Sequence, residues 1–88
     1  MNATVVFALI DKPAAKAVIK FLAKDKTATL REIMDRSQID SMEAMFALDF
    51  LMDAGLVGEQ KSPVKDFNTY YVTADGLAAE QALSRMNL

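Results

Sequence analysis

Three sets of side chains in this sequence have the types and spacing to do chemistry. Lys12, Lys16, Lys20 and Lys24 recur every four residues, which on a helix sets four ammonium groups along one side. Such a basic ridge can meet phosphate, an acidic partner or the acidic face of a second copy. It can equally stand as a solvated face. Met42, Met45, Phe46 and Asp49 fall at i, i+3, i+4 and i+7, one stripe of a helix whose sulfur-rich, apolar character suits an adaptable protein contact. The alternative is that this helix is rotated or more deeply buried, so that the stripe packs inside. Lys61 and Lys65 flank a segment of turn residues, where cations would reach phosphates, with Asp66 offsetting part of that charge.

Other chemistry is excluded by composition. The chain has no Cys and no His, which removes disulfides, thiol nucleophiles, zinc sites of the usual kind and a histidine base. Carboxylate pairs such as Asp49/Asp53 and Glu32/Asp35 come without a nucleophile–base constellation. The three glycines form no phosphate-cradling loop. The expectation is therefore a non-enzyme with no metal and no cofactor.

The elements that must position these groups follow from periodicity and punctuation. Residues 4–10, TVVFALI, are too short an apolar run for periodicity to separate helix from strand. Ala15, Val18, Ile19 and Leu22 give the inward stripe of a helix, with Asp11 as its expected cap and Pro13 in its first turn. Thr29 followed by Glu32 reads as a capping box opening a short helix that carries Leu30, Ile33 and Met34 and ends near Ser37. A third helix starts after Asp40 or Ser41, buries Ala44, Leu48 and Leu51, and stops at Gly55. Leu56 to Gln60 and Thr69 to Thr73 read as the strands of a hairpin, with Tyr70 and Tyr71 on opposite faces. Asp75 is expected to open a last helix with Leu77, Ala78, Ala82, Leu83 and Met86 on one side.

Eighty-eight residues, 52% of them hydrophobic and 25% charged, make one packed domain spanning residues 1–88. Residues 1–11 form an N-terminal arm and 75–88 a C-terminal helix. A domain this small is marginal alone, and the high apolar share points to a face shared with a partner, most simply in a homodimer. No stretch approaches a membrane span or a secretory signal, which points to the cytoplasm. Net charge is −2, unevenly spread. Residues 1–26 carry five lysines against Asp11 and Asp25, a net +3; residues 27–58 carry Arg31 and Arg36 against six carboxylates, a net −4.

The order of elements carries a resemblance. DAGLV at Asp53–Val57 resembles the E-A-G-L-V that closes recognition helices in ArsR-type and MarR-type winged-helix regulators. YYVTADG at Tyr70–Gly76 resembles the Y-x-L-T-x-x-G ending their wing, and ALIDKPAAKAVIKFLA at Ala8–Ala23 resembles the opening segment of ArsR-type repressors. The resemblance covers about residues 7–83. It implies a mainly α winged helix-turn-helix: a three-helix core, a two-stranded antiparallel wing and a C-terminal helix. It also implies DNA binding by a homodimer joined through its terminal helices, TVVFALI and LAAEQALSRM here, with the third helix in the major groove. Carried over on DAGLV, the base-facing positions are Ser41, Met42, Met45, Phe46 and Asp49, with Lys61 and Lys65 at phosphates. Only Ser41 has the polar chemistry that reads base edges. From Ser41 to Ala54 there is no Lys or Arg, while Glu43, Asp49 and Asp53 repel phosphate. The sequence thus supports two functions of different kinds. One is a DNA-binding transcription regulator. The other is a protein-interaction module on the same scaffold, binding through Met42, Met45, Phe46 and Asp49.

Overall fold

A computed structural model describes residues 3–64 and 67–88. Its elements are α1 (Ala3–Ile10), α2 (Pro13–Asp25), β1 (Thr27–Thr29), α3 (Leu30–Ser37), α4 (Ser41–Asp53), β2 (Val57–Gln60), β3 (Thr69–Val72) and α5 (Ala74–Arg85). The N-terminal arm is therefore a helix, and it packs: Val6 and Leu9 are buried. Ala15, Val18, Ile19 and Leu22 of α2 are all buried, as the stripe predicts. Around them lie Ile33 of α3, Leu48 and Leu51 of α4, Leu56, and Leu83 of α5. Each such side chain contributes about 1.5–3 kcal/mol through the water it sheds, so α2 is the axle on which the other helices are mounted.

Local signals set the helix ends. The Thr29 capping box forms as expected, its hydroxyl accepting from the Glu32 amide and the Glu32 carboxylate accepting from the Thr29 amide. Asp40 and Glu43 make the same reciprocal pair at the start of α4. At the end of α4, Gly55 takes φ 77°, its amide donates to the Met52 carbonyl, and the Leu56 amide reaches back to Leu51. This is a Schellman closure, and its usual apolar contact is supplied by buried Leu51 and Leu56.

Three expectations need correction. The cap residue of α2 is Lys12, without a side-chain bond, rather than Asp11; Pro13 at the first position has no amide to be capped. The last helix is capped by Thr73, whose hydroxyl accepts from the Gly76 amide, rather than opened by Asp75. That cap, and a tight approach of Gly76 to Leu56, rotate α5 so that Gly76, Ala79 and Leu83 are buried while Ala78 and Met86 lie exposed. The expected two-stranded wing forms as β2 against β3, and β1 adds a third strand at the other edge of β3, in the order β1-β3-β2. β1 pairs antiparallel with β3, Thr27 opposite Tyr71 and Thr29 opposite Thr69, and β3 returns along β2 with Val72 opposite Val57 and Thr69 opposite Gln60.

Candidate interaction face on α4 and the wing

α3 and α4 form a helix-turn-helix pair. Gln38 ends α3 in the left-handed region at φ 55°, the Ile39 amide reaches back to the Met34 carbonyl, and α4 starts at Ser41. The turn lays α4 across α2 and α3, with its inner row of Ala44, Ala47, Leu48 and Leu51 buried. The opposite row is therefore forced outward. Met42 and Phe46 are each 67% exposed and Met45 42%, and Ser41 and Asp49 are exposed beside them. The structure thus places five of the candidate residues together on one face, and the inward-packed alternative is set aside.

The flanks of that face differ. Towards α2, Phe46, Ala47 and Phe50 border a recess of about 240 Å³ with Pro13 and Ala14 opposite. Lys12 lies at its edge, its ammonium 5.1 Å from the centre of the Phe50 ring, a cation–π distance. The lysine row is consequently not uniform: Lys12 leans on α4, Lys16 and Lys20 are half-buried, and Lys24 is exposed. On the other side, Met45 meets a broader concavity of about 780 Å³ shared with Leu30, Met34, Phe67 and Tyr70. Tyr70 and Tyr71 divide as the alternation requires, 6% exposed against 43%. Burial, and the Glu59 carboxylate opposite it in the ladder, push the Tyr70 hydroxyl's pKa up.

The wing contributes less than the sequence suggests. Lys61 is exposed just beyond β2, whereas Lys65 lies outside the described residues. The loop is organised by Asn68, whose side-chain oxygen accepts from the Ser62 amide at 2.8 Å, leaving Val64 and Phe67 exposed. Phe50 and Phe67 were not among the sequence candidates. Phe50 stands four residues beyond Phe46, so the helical period carries a signal for it; Phe67 sits in a turn-rich segment where no period applies. Glu43 changes role as well, since its carboxylate is engaged by the Asp40 amide. Among the described residues no group of three or more His, Cys, Asp or Glu side chains is placed to hold a metal ion. No helix among them is long and apolar enough to cross a membrane.

No protein-family model matches this chain, and no curated protein does. Solved structures do match. A MarR-family transcriptional regulator from Silicibacter pomeroyi superposes with a TM-score of 0.78 at 19% identity, over 83% of this chain and 49% of that one. The fold is a MarR-type winged helix. A MarR-family regulator from Neisseria meningitidis gives 0.74 at 19% identity, over 84% and 53% of the two chains. BpsR of Bordetella bronchiseptica, whose DNA binding is regulated by 6-hydroxynicotinic acid, gives 0.78 at 17% identity, over 84% and 57%. The chain thus spans about half the length of the winged-helix proteins it matches, and the likeness is one of fold.

Proposed function

We propose that this chain is a non-catalytic, cytoplasmic transcription regulator of the winged-helix type, acting as a homodimer, with α4 and the wing as its contact face. The observation that carries the proposal is the outward presentation of α4 along its whole length beside the hairpin, the placement through which a helix-turn-helix reads a major groove. Ser41, Met42, Met45 and Phe46 then lie at base edges and Lys61 and Lys65 at phosphates. Phe7 on α1 and Met86 at the end of α5 are exposed, which supports dimerisation through the terminal helices.

A second reading rests on a different observation. The exposed row of α4 is apolar and acidic and has no cation between Ser41 and Ala54. A protein partner meeting Met42, Met45, Phe46 and Asp49 then takes the place of DNA, because exposed Met and Phe clusters mark protein contacts.

Fluorescence anisotropy with a random-sequence duplex at about 50 mM salt separates the two, since phosphate contacts are strongest there. The DNA reading expects binding that weakens steeply as salt rises and weakens further in Lys61→Ala. Absence of binding at that salt sinks it. Phe46→Asp is expected to fold like the parent, because the ring is mostly solvated; it abolishes capture of a protein partner in the second reading, and in the DNA reading it weakens binding by adding a carboxylate on the face that meets phosphate.

A further inference from the structure

We infer that two copies of this chain associate face to face, the lysine row of each α2 against the acidic, Met/Phe side of the other's α4, so that each copy covers the other's contact face. The inference goes beyond the proposed function and holds whether α4 serves DNA or protein.

Three observations carry it. The first is charge. α4 carries Glu43, Asp49 and Asp53 and no cation, while α2 and its cap carry Lys12, Lys16, Lys20 and Lys24 with Asp25 as the only carboxylate. The opposite charges needed for a complementary contact lie on two helices of the same chain. The second is spacing. Asp49 and Asp53 stand four residues apart, as do successive lysines, so both rows repeat at about 6 Å along their helices. They come into register without stretching, and the half-buried stems of Lys16 and Lys20 leave their ammonium groups at the surface to be paired.

The third is placement. α2 and α4 border one common recess, lined by Lys12, Pro13 and Ala14 from one side and Glu43, Phe46 and Phe50 from the other. A two-fold axis passing beside that recess sets α2 against the partner's α4 and α4 against the partner's α2. The contact is made twice and is isologous, so it uses up this face on both copies. It also covers Met42 and Phe46, the most exposed large apolar side chains of α4, with the partner's Phe46 ring entering the recess. Association of this kind competes with any other occupant of α4 and is released by salt, because the Debye length falls from about 10 Å at 0.1 M to about 3 Å at 1 M.

The test is a charge swap read by analytical ultracentrifugation. The parent chain is expected to show at least twice the mass at about 30 mM salt that it shows at about 1 M. That ratio applies whether the salt-resistant unit is one chain or a dimer joined by its terminal helices. One variant, Asp49→Lys with Asp53→Lys, presents two positive helices. The other, Lys16→Glu with Lys20→Glu, presents two negative ones. Each alone is expected to stay at the high-salt mass. Mixed in equal amounts they are expected to recover the heavier species, now containing both variants. Parent masses equal at both salts, or a mixture that remains at the mass of its components, overturns the inference. Should a reversal lose helical circular dichroism, Asp49→Asn with Asp53→Asn and Lys16→Gln with Lys20→Gln only remove charge, and persistence of the heavier species in either is equally fatal. DNA binding is read separately by anisotropy, at protein concentrations below those at which the heavier species forms, so failure here leaves the proposed function standing.

Discussion

Replacing Gly76 by alanine adds one methyl group where α5 meets the sheet. A Cβ at this position overlaps the carbonyl oxygen of Leu56 and lies 2.8 Å from a methyl of Val72 and 3.1 Å from the Leu56 carbonyl carbon. The first of these is backbone, so no rotamer change relieves it. That same oxygen accepts the Thr73 amide at 3.0 Å. Thr73 in turn donates its hydroxyl to the Gly55 carbonyl at 2.8 Å and accepts from the Gly76 amide. Moving α5 away therefore loosens three bonds together. Overpacking costs about 1–3 kcal/mol, and a weakened cap about 1 kcal/mol more. Alanine recovers up to about 1 kcal/mol of helix propensity. The net expectation is a loss of about 1–3 kcal/mol, which lowers Tm by roughly 5–20 °C in a domain of this size. Gly58→Ala is the control. The atoms nearest its Cβ are the outer atoms of the Tyr71 ring, which is 43% exposed and can swing into solvent, so the expected loss stays below about 1 kcal/mol. Urea melts of both variants decide the matter. A Gly76→Ala protein within about 0.5 kcal/mol of the parent, or a Gly58→Ala loss equal to it, refutes the claim that the α5–Leu56 contact is rigid.

Three further expectations follow from single residues. Gln38 occupies the left-handed region at φ 55°, which costs a non-glycine residue about 1–2 kcal/mol, and its side chain is exposed, so Gln38→Gly is expected to raise Tm by a few degrees, and a lowered Tm in a thermal melt contradicts that. The Ser37 hydroxyl is buried with no hydrogen-bond partner among the described residues, so Ser37→Ala is expected to leave stability unchanged or to raise it, and a loss above about 1 kcal/mol in a urea melt contradicts that. The Glu32 carboxylate is held below its ordinary pKa by the Thr29 amide, then by the Thr29 hydroxyl. Its contribution is present above the unfolded-chain value and is lost as pH falls through the lower folded-state value, so Glu32→Gln is expected to lower stability at neutral pH, to flatten the acid limb of the stability–pH curve and to match the parent once that carboxylate is protonated in both the folded and the unfolded chain.

Where the chain's own punctuation is strong, the fold was legible. The Thr29–Glu32 box, the inward stripe of α2, the inner row of α4 and the Gly55 stop are each short-range signals, and each forms as expected. The misreadings are of another kind. β1 is only three residues, Thr27–Thr29, too few to show alternation, and its last residue is also a helix cap. It exists because β3 offers it a ladder, a long-range fact. The rotation of α5 is set by contact with Leu56, on the far side of the whole hairpin and out of reach of any local cue. Two of the three motifs that carried the family resemblance touch: Thr73 and Gly76 of YYVTADG grip Gly55 and Leu56 of DAGLV. The outward stripe of α4 was legible because its inner row was. The recess against α2 was not, since it depends on where Pro13 and Ala14 fall relative to Phe46 and Phe50.

The two rows of α4 answer to different constraints. Ala44, Ala47, Leu48 and Leu51 must be apolar and well packed for the helix to lie where it does, and Asp40, Glu43 and Gly55 fix its ends. Nothing in that set requires Met42, Met45, Phe46, Asp49 or Asp53. Similarity of fold to MarR-family regulators therefore bears on the inner row and is silent on the outer one. The outer row's chemistry has to be argued by itself: no cation, three large apolar groups and two carboxylates. If phosphate approaches this face, the attraction must come from the wing lysine and the row on α2 rather than from α4. Those same α2 lysines are the complement that the acidic side of α4 lacks. One charge pattern thus sets both terms of a competition, because whatever neutralises the lysine row, nucleic acid or a second copy, takes it from the other.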